Sequence, residues 1–282
     1  MNKPIERMPP KKGNWIWQKK WDGVRAYIAN YDEGPELYIG DWENGSSNRL
    51  DQYPEMREAI SQMPEGSVLD GELVVLNDDG TEHFYDMAGR VHITDKTKIA
   101  VLSKKRPVTF KAFDCIYDGG EDVRNEPLFI EHSTPYVYHD ITRFDGIPSR
   151  HNRMTEIVSD TCRERIQVVL SAWFSLEKAI KISKERDWEG IVIKSADGKY
   201  NDQWYKIKNW QEGDFKVTGY TSSDKNLIAA ITLENGTKVN YQLEQTEEMA
   251  KKLKGATAVV KYMKGKNNLR FPVLKELRFA TV

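Results

Sequence analysis

Lys20, in the run Lys20-Trp21-Asp22-Gly23-Val24-Arg25, is the residue whose type and setting first suggest chemistry, since it puts a lysine where a nucleophile would be useful. The flanking stretches Trp15-Ile16-Trp17 and Val24-Arg25-Ala26-Tyr27-Ile28 are β-branched and aromatic, which predicts two strands joined by a tight turn at Asp22-Gly23. Lys20 then sits at a strand end. Alternate side chains of a strand share a face, so Gln18, Lys20 and Asp22 point one way and Lys19 the other. A lysine beside a hairpin turn is ordinarily a solvated surface residue, so this setting alone assigns it no role.

Four further segments are short apolar strands, each carrying an acid, a base or an aromatic ring that folding does not require. They are Leu69-Asp70-Gly71-Glu72-Leu73, Phe110-Lys111-Ala112-Phe113-Asp114, Glu189-Gly190-Ile191-Val192-Ile193-Lys194 and Trp204-Tyr205-Lys206-Ile207-Lys208. Lys206 and Lys208 share a strand face, which aims both ammonium groups at one anion. Glu72 and Glu189 are carboxylates at the edges of apolar strands. Mg²⁺ prefers such oxygens and usually binds through one or two carboxylates plus substrate phosphates, so a sparse donor set suffices. Without further context, both glutamates read equally well as strand-end acids, Phe113 as a packed core ring, and the two lysines as the exposed face of an edge strand.

Taken with Lys20, and with Arg270-Phe271-Pro272 and Arg278 near the C-terminus, these segments in this order resemble the nucleotidyl-transfer motifs of the ATP-dependent DNA ligases. That family lies within the covalent nucleotidyltransferase superfamily, which also holds RNA ligases and mRNA capping enzymes. The resemblance spans nearly the whole chain. It implies an enzyme that seals 3′-OH/5′-phosphate nicks in duplex DNA: AMP passes from ATP to Lys20, then to the 5′-phosphate, and is released when the 3′-OH attacks. A free lysine has a pKa of about 10.4, so the site must lower it by desolvation or by positive charge from Lys206, Lys208 or a metal. The resemblance further implies that Glu189 ligates Mg²⁺, with Mn²⁺ able to substitute, and that Glu72 contacts the ribose hydroxyl and is a second metal ligand. Phe113 stacks on adenine, Gln18 meets the adenine edge through its carboxamide, and Arg25 grips the nucleotide or the nick phosphate. Arg270, Lys275 and Arg278 orient the outgoing pyrophosphate. Lys275 stands where many relatives have arginine, which keeps the charge and loses the bidentate fork.

The implied partners are nicked duplex DNA and ATP, with no membrane, and the implied assembly is a monomer that encircles or clamps DNA. An RNA ligase of the same superfamily is the nearest alternative. Further rivals are a capping-type guanylyltransferase and a catalytically silent nucleic-acid-binding protein. One departure is plain: where relatives commonly show Ser-Arg-x-Gly after the second strand, this chain has Ile39-Gly40-Asp41-Trp42-Glu43-Asn44-Gly45, with Arg49 as a substitute for the missing arginine.

At 282 residues, 39% hydrophobic and 11% aromatic, the chain has the composition of a globular protein long enough for two domains. No apolar run approaches the about 18 residues of a membrane span, and Met1 to Gly13 lacks the apolar core of a signal peptide, which predicts a soluble, cytoplasmic protein of a bacterium or a virus-infected cell. Cys115 and Cys162 are too scattered for a disulfide framework or a zinc site. His83, His92, His132, His139 and His151 show no ligand spacing. The formal net charge is −1, but residues 212–282 carry 12 Lys and Arg against 8 Asp and Glu, while residues 1–211 carry 30 against 35. The C-terminal part is therefore the more basic and the better candidate to face phosphate.

The elements that must position these residues are of α+β class. Residues 1–211 read as an adenylation (nucleotidyltransferase) domain of mixed antiparallel sheets and helices. Its helices are expected over Gln52 to Gln62, Met154 to Arg165 and Leu176 to Asp187, with strands over Ser67 to Leu76, Val108 to Tyr117, Ile166 to Trp173 and Glu189 to Ser195. Phe84 to Arg90 resembles a structural helix of ligases. Residues 212–282 read as an OB-fold β-barrel, with strands over Phe215 to Thr221, Leu227 to Leu233, Lys238 to Leu243, Ala256 to Met263 and near Phe271, and a helix over Thr246 to Lys254. Glu234-Asn235-Gly236 is expected to make a tight hairpin. Asn209 to Gly213 is expected to be a hinge, nothing is expected to precede Trp15 as a domain, and basic loops at Lys104-Lys105-Arg106 and Lys261 to Asn268 are expected to touch DNA.

Overall fold

In the computed structural model Trp15–Lys20 (β1) and Val24–Tyr31 (β2) are both strands, but they do not form the expected hairpin. They belong to different sheets. Alternation of side chains signals a strand and not its partner, and here the chain at Gly23 crosses from one sheet to the other. A Cβ on Gly23 would lie 2.1 Å from the Leu73 carbonyl oxygen, so only glycine allows that approach. The structure describes residues 4–40, 45–82, 84–129, 149–173, 175–222, 227–244, 247–265 and 269–279. Within this, the chain forms two compact units, Met1–Lys208 and Asn209–Val282.

The first unit continues with Gly34–Ile39 (β3), Arg57–Ser61 (α1), Ser67–Val75 (β4), Phe84–Val91 (α2), Lys96–Lys105 (α3), Val108–Asp118 (β5) and Glu121–Asp122 (β6). After residues 130–148 come Arg150–Ile157 (α4), Ile166–Val168 (β7), Ser171–Ala172 (β8), Leu176–Glu185 (α5), Gly190–Ser195 (β9) and Trp204–Lys208 (β10). One sheet runs β10-β9-β1-β8; the other runs β3-β2-β4-β5-β6, with β7 also on β5. All pairings are antiparallel except β5 with β7.

The larger sheet buries Ala26, Ile28, Leu69, Leu73, Phe110 and Ala112 in a core closed by Ile60, Met87, Met154 and Ile157 from α1, α2 and α4. The smaller sheet buries Trp17, Ile191, Ile193 and Tyr205 with Ala179 of α5. The opposite faces mix apolar and polar side chains: Tyr27, Ala29, Val68 and Ile116 form a smaller buried cluster on the larger sheet, and Ile16 packs with Leu128 and Ala196 on the smaller one.

Several elements differ from the sequence reading. The single strand expected over Ile166 to Trp173 is two short ones, β7 on the larger sheet and β8 on the smaller, with Leu170 projecting 70% exposed at the step between them. Gln52 to Gln62 is broken into helical turns at Leu50–Gln52 and Pro54–Met56 before α1, because Pro54 has no N–H to continue a helix. The helix expected from Met154 starts at Arg150, where the Ser149 hydroxyl accepts from Asn152 N at 3.3 Å, and ends at Ile157. α3 was not anticipated; Asp95 caps it, accepting from Lys98 N at 2.8 Å, and it places Lys104 and Lys105 in a helical last turn instead of a loop.

The second unit comprises Gln211–Ser222 (β11), Leu227–Leu233 (β12), Lys238–Glu244 (β13), Glu247–Leu253 (α6), Thr257–Met263 (β14) and Arg270–Arg278 (β15), in one antiparallel sheet of order β13-β12-β11-β14-β15. Val217, Ile231, Val239, Leu253 and Val260 form its core. The hairpin at Glu234-Asn235-Gly236 is present: Gly236, at φ +81°, donates to Leu233 O at 2.9 Å. Of the expected hinge only Asn209 and Trp210 lie outside strands, since Gln211, Glu212 and Gly213 pair with β14. Lys261 likewise belongs to β14 and not to a loop. Asp41 to Asn44, His83, His132, His139, Thr246 and 266–268 lie outside the described residues.

Both cysteines are buried and free, and His151, 6% exposed, stacks on Phe129 at 4.2 Å. Burial, then Lys194, lowers its pKa to about 4, so the fold holds neutral imidazole. The unfolded chain takes up a proton near pH 6.5 that the folded chain refuses until about pH 4, so stability is full above the upper value and falls between the two. The expected loss is about 3 kcal/mol on full titration. Urea unfolding at about pH 7.5 and about pH 5 checks it: His151→Phe should flatten the difference seen in the wild type, and an equal difference in both would refute the assignment.

Candidate active site

Register places the polar face of the smaller sheet in rows. Lys20 pairs with Gly190, which pairs with Lys208; Gln18 pairs with Val192, which pairs with Lys206; Ile16 pairs with Lys194, which pairs with Trp204. Directly paired residues share a face, so Lys20, Lys206, Lys208 and Gln18 emerge together, opposite to the Trp17 and Ile191 side that packs on α5. Lys20 and Lys208 stand two strands apart, about 10 Å, with the bare Gly190 between them.

On the larger sheet the row Arg25, Glu72, Lys111, Gln167 crosses β2, β4, β5 and β7. Phe113 is the extra residue of a β-bulge: Gly71 pairs with Ala112 and Asp70 with Asp114, leaving Phe113 without a cross-strand partner. Such a bulge re-aims a side chain. Its ring meets Trp204 of the other sheet edge-on at 5.9 Å, so the two sheets face one another across these residues.

Glu189, just before β9, makes the carboxylate contact to Lys20. Its Oε2 lies 2.5 Å from Lys20 Nζ, and its side chain is 7% exposed. Burial opposes the charged lysine, but Glu189, Glu72 and Asp22 together hold its pKa above the ordinary value. The lowering expected from the sequence is therefore not present in this state of the chain, because the carboxylates outweigh desolvation. Burial, reinforced by Glu189 and Asp70 and opposed by Lys20, pushes Glu72 up to about 8, and burial raises Glu189 against the pull of Lys20. Lys206 is lowered, first by desolvation and then by Lys208.

Glu72 and Glu189 both act on Lys20, Glu189 raises Glu72, and carboxylate oxygens of this kind suit a divalent cation. Among the described residues no three His, Cys, Asp or Glu converge to form a fuller cage. Glu72 and Glu189 are thus the residues that could hold Mg²⁺.

Gln18 is 2% exposed and its Nε2 donates to Ser171 Oγ at 2.9 Å. Arg25 is engaged bidentately by Asp70, at 3.1 Å from Nε and 2.7 Å from Nη2, and Tyr200 donates to the same carboxylate at 2.8 Å. Only the remaining edge of the Arg25 fork can meet a phosphate. Arg270, Lys275 and Arg278 lie on β15 in the second unit and are not equivalent there. Lys275 is the bulged residue between Leu274, paired with Val260, and Glu276, paired with Val259. Arg278 binds Glu276 at 2.9 Å and Asp214 at 3.1 Å on an exposed surface, while Arg270 is half-buried.

Sequence reasoning did not single out Asp70, Lys111, Ser171, Lys194 and Tyr200 for a role. Lys111, 5% exposed and lowered to about 8 chiefly by burial, donates to Gln167 Oε1 and lies 4.1 Å from the Trp21 ring centroid, while Lys19 lies 3.8 Å from that centroid and pairs with Glu82 at 2.8 Å. The signal available for Lys111 and Lys194 was strand parity with Glu72 and Val192 once the pairings are known.

A lysine held against a carboxylate, with two more lysines on the same sheet face and Glu72 nearby, is a set of groups able to bind phosphate. The model of the ATP dependent DNA ligase domain matches residues 2–210, and the chain belongs to that family. It is 26% identical over 235 residues to the SPbeta prophage-derived DNA ligase-like protein LigB of Bacillus subtilis, covering 81% of this chain and 73% of that protein. To DNA ligase C2 of Mycolicibacterium smegmatis it is 24% identical over 224 residues, covering 78% of this chain but only 56% of that one. The fold resembles the solved structure of Lig E DNA ligases described as DNA binding with a minimal scaffold, at TM-score 0.62 and 16% identity over 99% of this chain and all of that one. It also resembles mycobacterial DNA ligase D complexed with ATP and MES, at TM-score 0.52 and 17% identity over 98% and 94% of the two chains. These likenesses agree with a sheet-rich α+β fold. No helix among the described residues is long and apolar enough to cross a membrane.

Proposed function

We propose that this chain is an ATP-dependent DNA ligase that seals 3′-OH/5′-phosphate nicks in duplex DNA through a Lys20–AMP phosphoramidate. The observation that carries the reading is Lys20 Nζ at 2.5 Å from Glu189 Oε2, in register with Lys208 across Gly190. Residues 1–211 act as the adenylation domain and residues 212–282 as an OB-fold barrel, and the protein works as a monomer that clamps the duplex in the cytoplasm.

Lys20 must lose a proton before it can attack, and Glu189 is the acceptor in place to hold it. Nζ then bonds to the α-phosphorus of ATP while the bond to the pyrophosphate oxygen breaks. Lys206 and Lys208 place positive charge on the same face as the nucleophile and stabilise charge developing on the phosphates. Glu72 and Glu189 would hold Mg²⁺, with Mn²⁺ as a substitute; when bound it supplies Lewis acidity to phosphate oxygens. Phe113 offers a ring to adenine, Gln18 a carboxamide to its edge, and Arg25 its one uncommitted edge to a phosphate. Arg270 and Lys275 attend the pyrophosphate, whereas Arg278 must first leave Glu276 and Asp214.

A gel assay of purified protein with Mg²⁺ on a nicked DNA duplex and on its RNA counterpart, with ATP, GTP or NAD⁺ in parallel, tests this. Sealing of the DNA nick with ATP alone is expected. Preference for the RNA nick would favour the RNA ligase reading, use of GTP the capping reading, and no covalent adduct with any donor a binding protein.

A further inference from the structure

Lys194 is a charged residue only 1% exposed, and no step above uses it. It stands on β9, yet its hydrogen-bond partners are on the facing sheet. Its Nζ donates to the Phe113 carbonyl oxygen at 2.7 Å and lies 3.4 Å from Asp114 Oδ2. The same ammonium lies 4.7 Å from the centroid of the Phe113 ring and 4.1 Å from that of Trp204. Asp114 Oδ1 in turn takes Arg150 Nε at 2.7 Å, and Arg150 Nη1 donates to Gly198 O at 3.0 Å. Asp114 and Arg150 have no exposed surface, so three charges are buried in one chain of contacts.

Burying charges costs solvation, and well-packed apolar residues of the same volume are often at least as stable. A methionine at 194 would fill the space beside Trp204 equally well. It could not hold a carbonyl on the opposite sheet. Phe113 is the residue that needs holding, because as the bulged residue of β5 it has no cross-strand partner to set its aim.

We propose that Lys194 is a positioning residue that ties Phe113 to the β9 sheet and thereby sets the gap in which the adenine base of ATP stacks. The inference rests on Phe113 being the base-stacking ring. Lys194 is four residues along β9 from Gly190, in a different row from Lys20 and Lys208, so its loss should loosen the base without disturbing the reacting groups. The effect belongs in KM.

Labelling of Lys20 by ATP carrying radiolabel on its α-phosphate, measured over a range of ATP concentrations, provides the test. Lys194→Met should raise the KM for ATP about tenfold and leave the rate at saturation within about twofold of wild type. Phe113→Ala should also raise KM, and the double substitution should add nothing beyond the larger single effect, as expected for residues acting through one contact. An unmoved KM in folded Lys194→Met, a fall in the saturating rate alone, or additive effects in the double substitution would each overturn the proposal. Should Lys194→Met not fold, Asp114→Asn weakens the same tether with little change of shape, and its KM must move in the same direction. Wild-type protein that takes no label would overturn the ligase reading itself, whereas labelled wild type with unmoved KM in the variants overturns only the role of Lys194.

Discussion

Lys20→Ala retains no covalent label from ATP and seals no nicks, a loss of more than about a thousandfold, because the step it removes is the only one that makes the nucleotide reactive towards DNA. The variant should fold normally. Lys20 ends β1, its side chain is 22% exposed, and it hydrogen-bonds to Glu189. Losing that partner leaves Glu189 more easily protonated, since the lysine is what opposes its burial. A nick carrying a preformed 5′-adenylate bypasses the lysine, so Lys20→Ala should still join that substrate given Mg²⁺. Labelling that survives the substitution would remove Lys20 as the nucleophile. Failure on the preadenylated nick with a normal melting curve would show that Lys20 is needed for the last step as well.

Gly190→Ala is expected to be nearly as damaging by a different route. A Cβ at this position would sit 2.1 Å from the Ile207 carbonyl oxygen and 2.9 Å from Lys208 Cα, both backbone, so no side chain can swing aside to relieve the clash. β9 and β10 must separate there. That movement takes Lys206 and Lys208 away from the sheet face they share with Gln18 and Lys20. The expected cost is on the order of 3 kcal/mol of stability, with the labelling rate at permissive temperature down by about a hundredfold through misplacement of groups it does not itself supply. Thermal melting and labelling of the same preparation check both parts. Normal melting with normal labelling would mean that the strands tolerate the extra carbon and that the open row is not needed.

Arg25 shows how structure refines a role that a family motif suggests. The family resemblance implies a grip on the nucleotide or the nick phosphate, but Asp70 and Tyr200 use most of its fork, so a lysine replacement would lose the bidentate anchor before it lost any substrate contact.

The amino-acid sequence alone supplied the segments that carry the family resemblance, those of Lys20, Glu72, Phe113, Glu189, Lys206 and Lys208, because each residue lies in or beside a short apolar strand whose local character is written in alternation and branching. Strand existence over 67–75, 108–118, 190–195 and 227–233 was legible for the same reason. So was the hairpin at Gly236, where a single positive φ demands glycine. Partners were not legible. The contact of β1 with β9 joins residues about 170 positions apart, and no period within either strand encodes the other's register. For that reason the sequence suggested a hairpin at Asp22-Gly23, where the tertiary structure has a crossing between sheets. The caps at Ser149 and Asp95 were readable in principle, but their helices are short and polar enough that periodicity alone did not set them off. Only the tertiary structure decided that Lys20 meets Glu189, that Lys194 reaches across to Phe113, and that burial and carboxylates push the charged groups against one another. Those are effects of distance and desolvation, which exist only once strands distant in the chain are paired and the two sheets face each other.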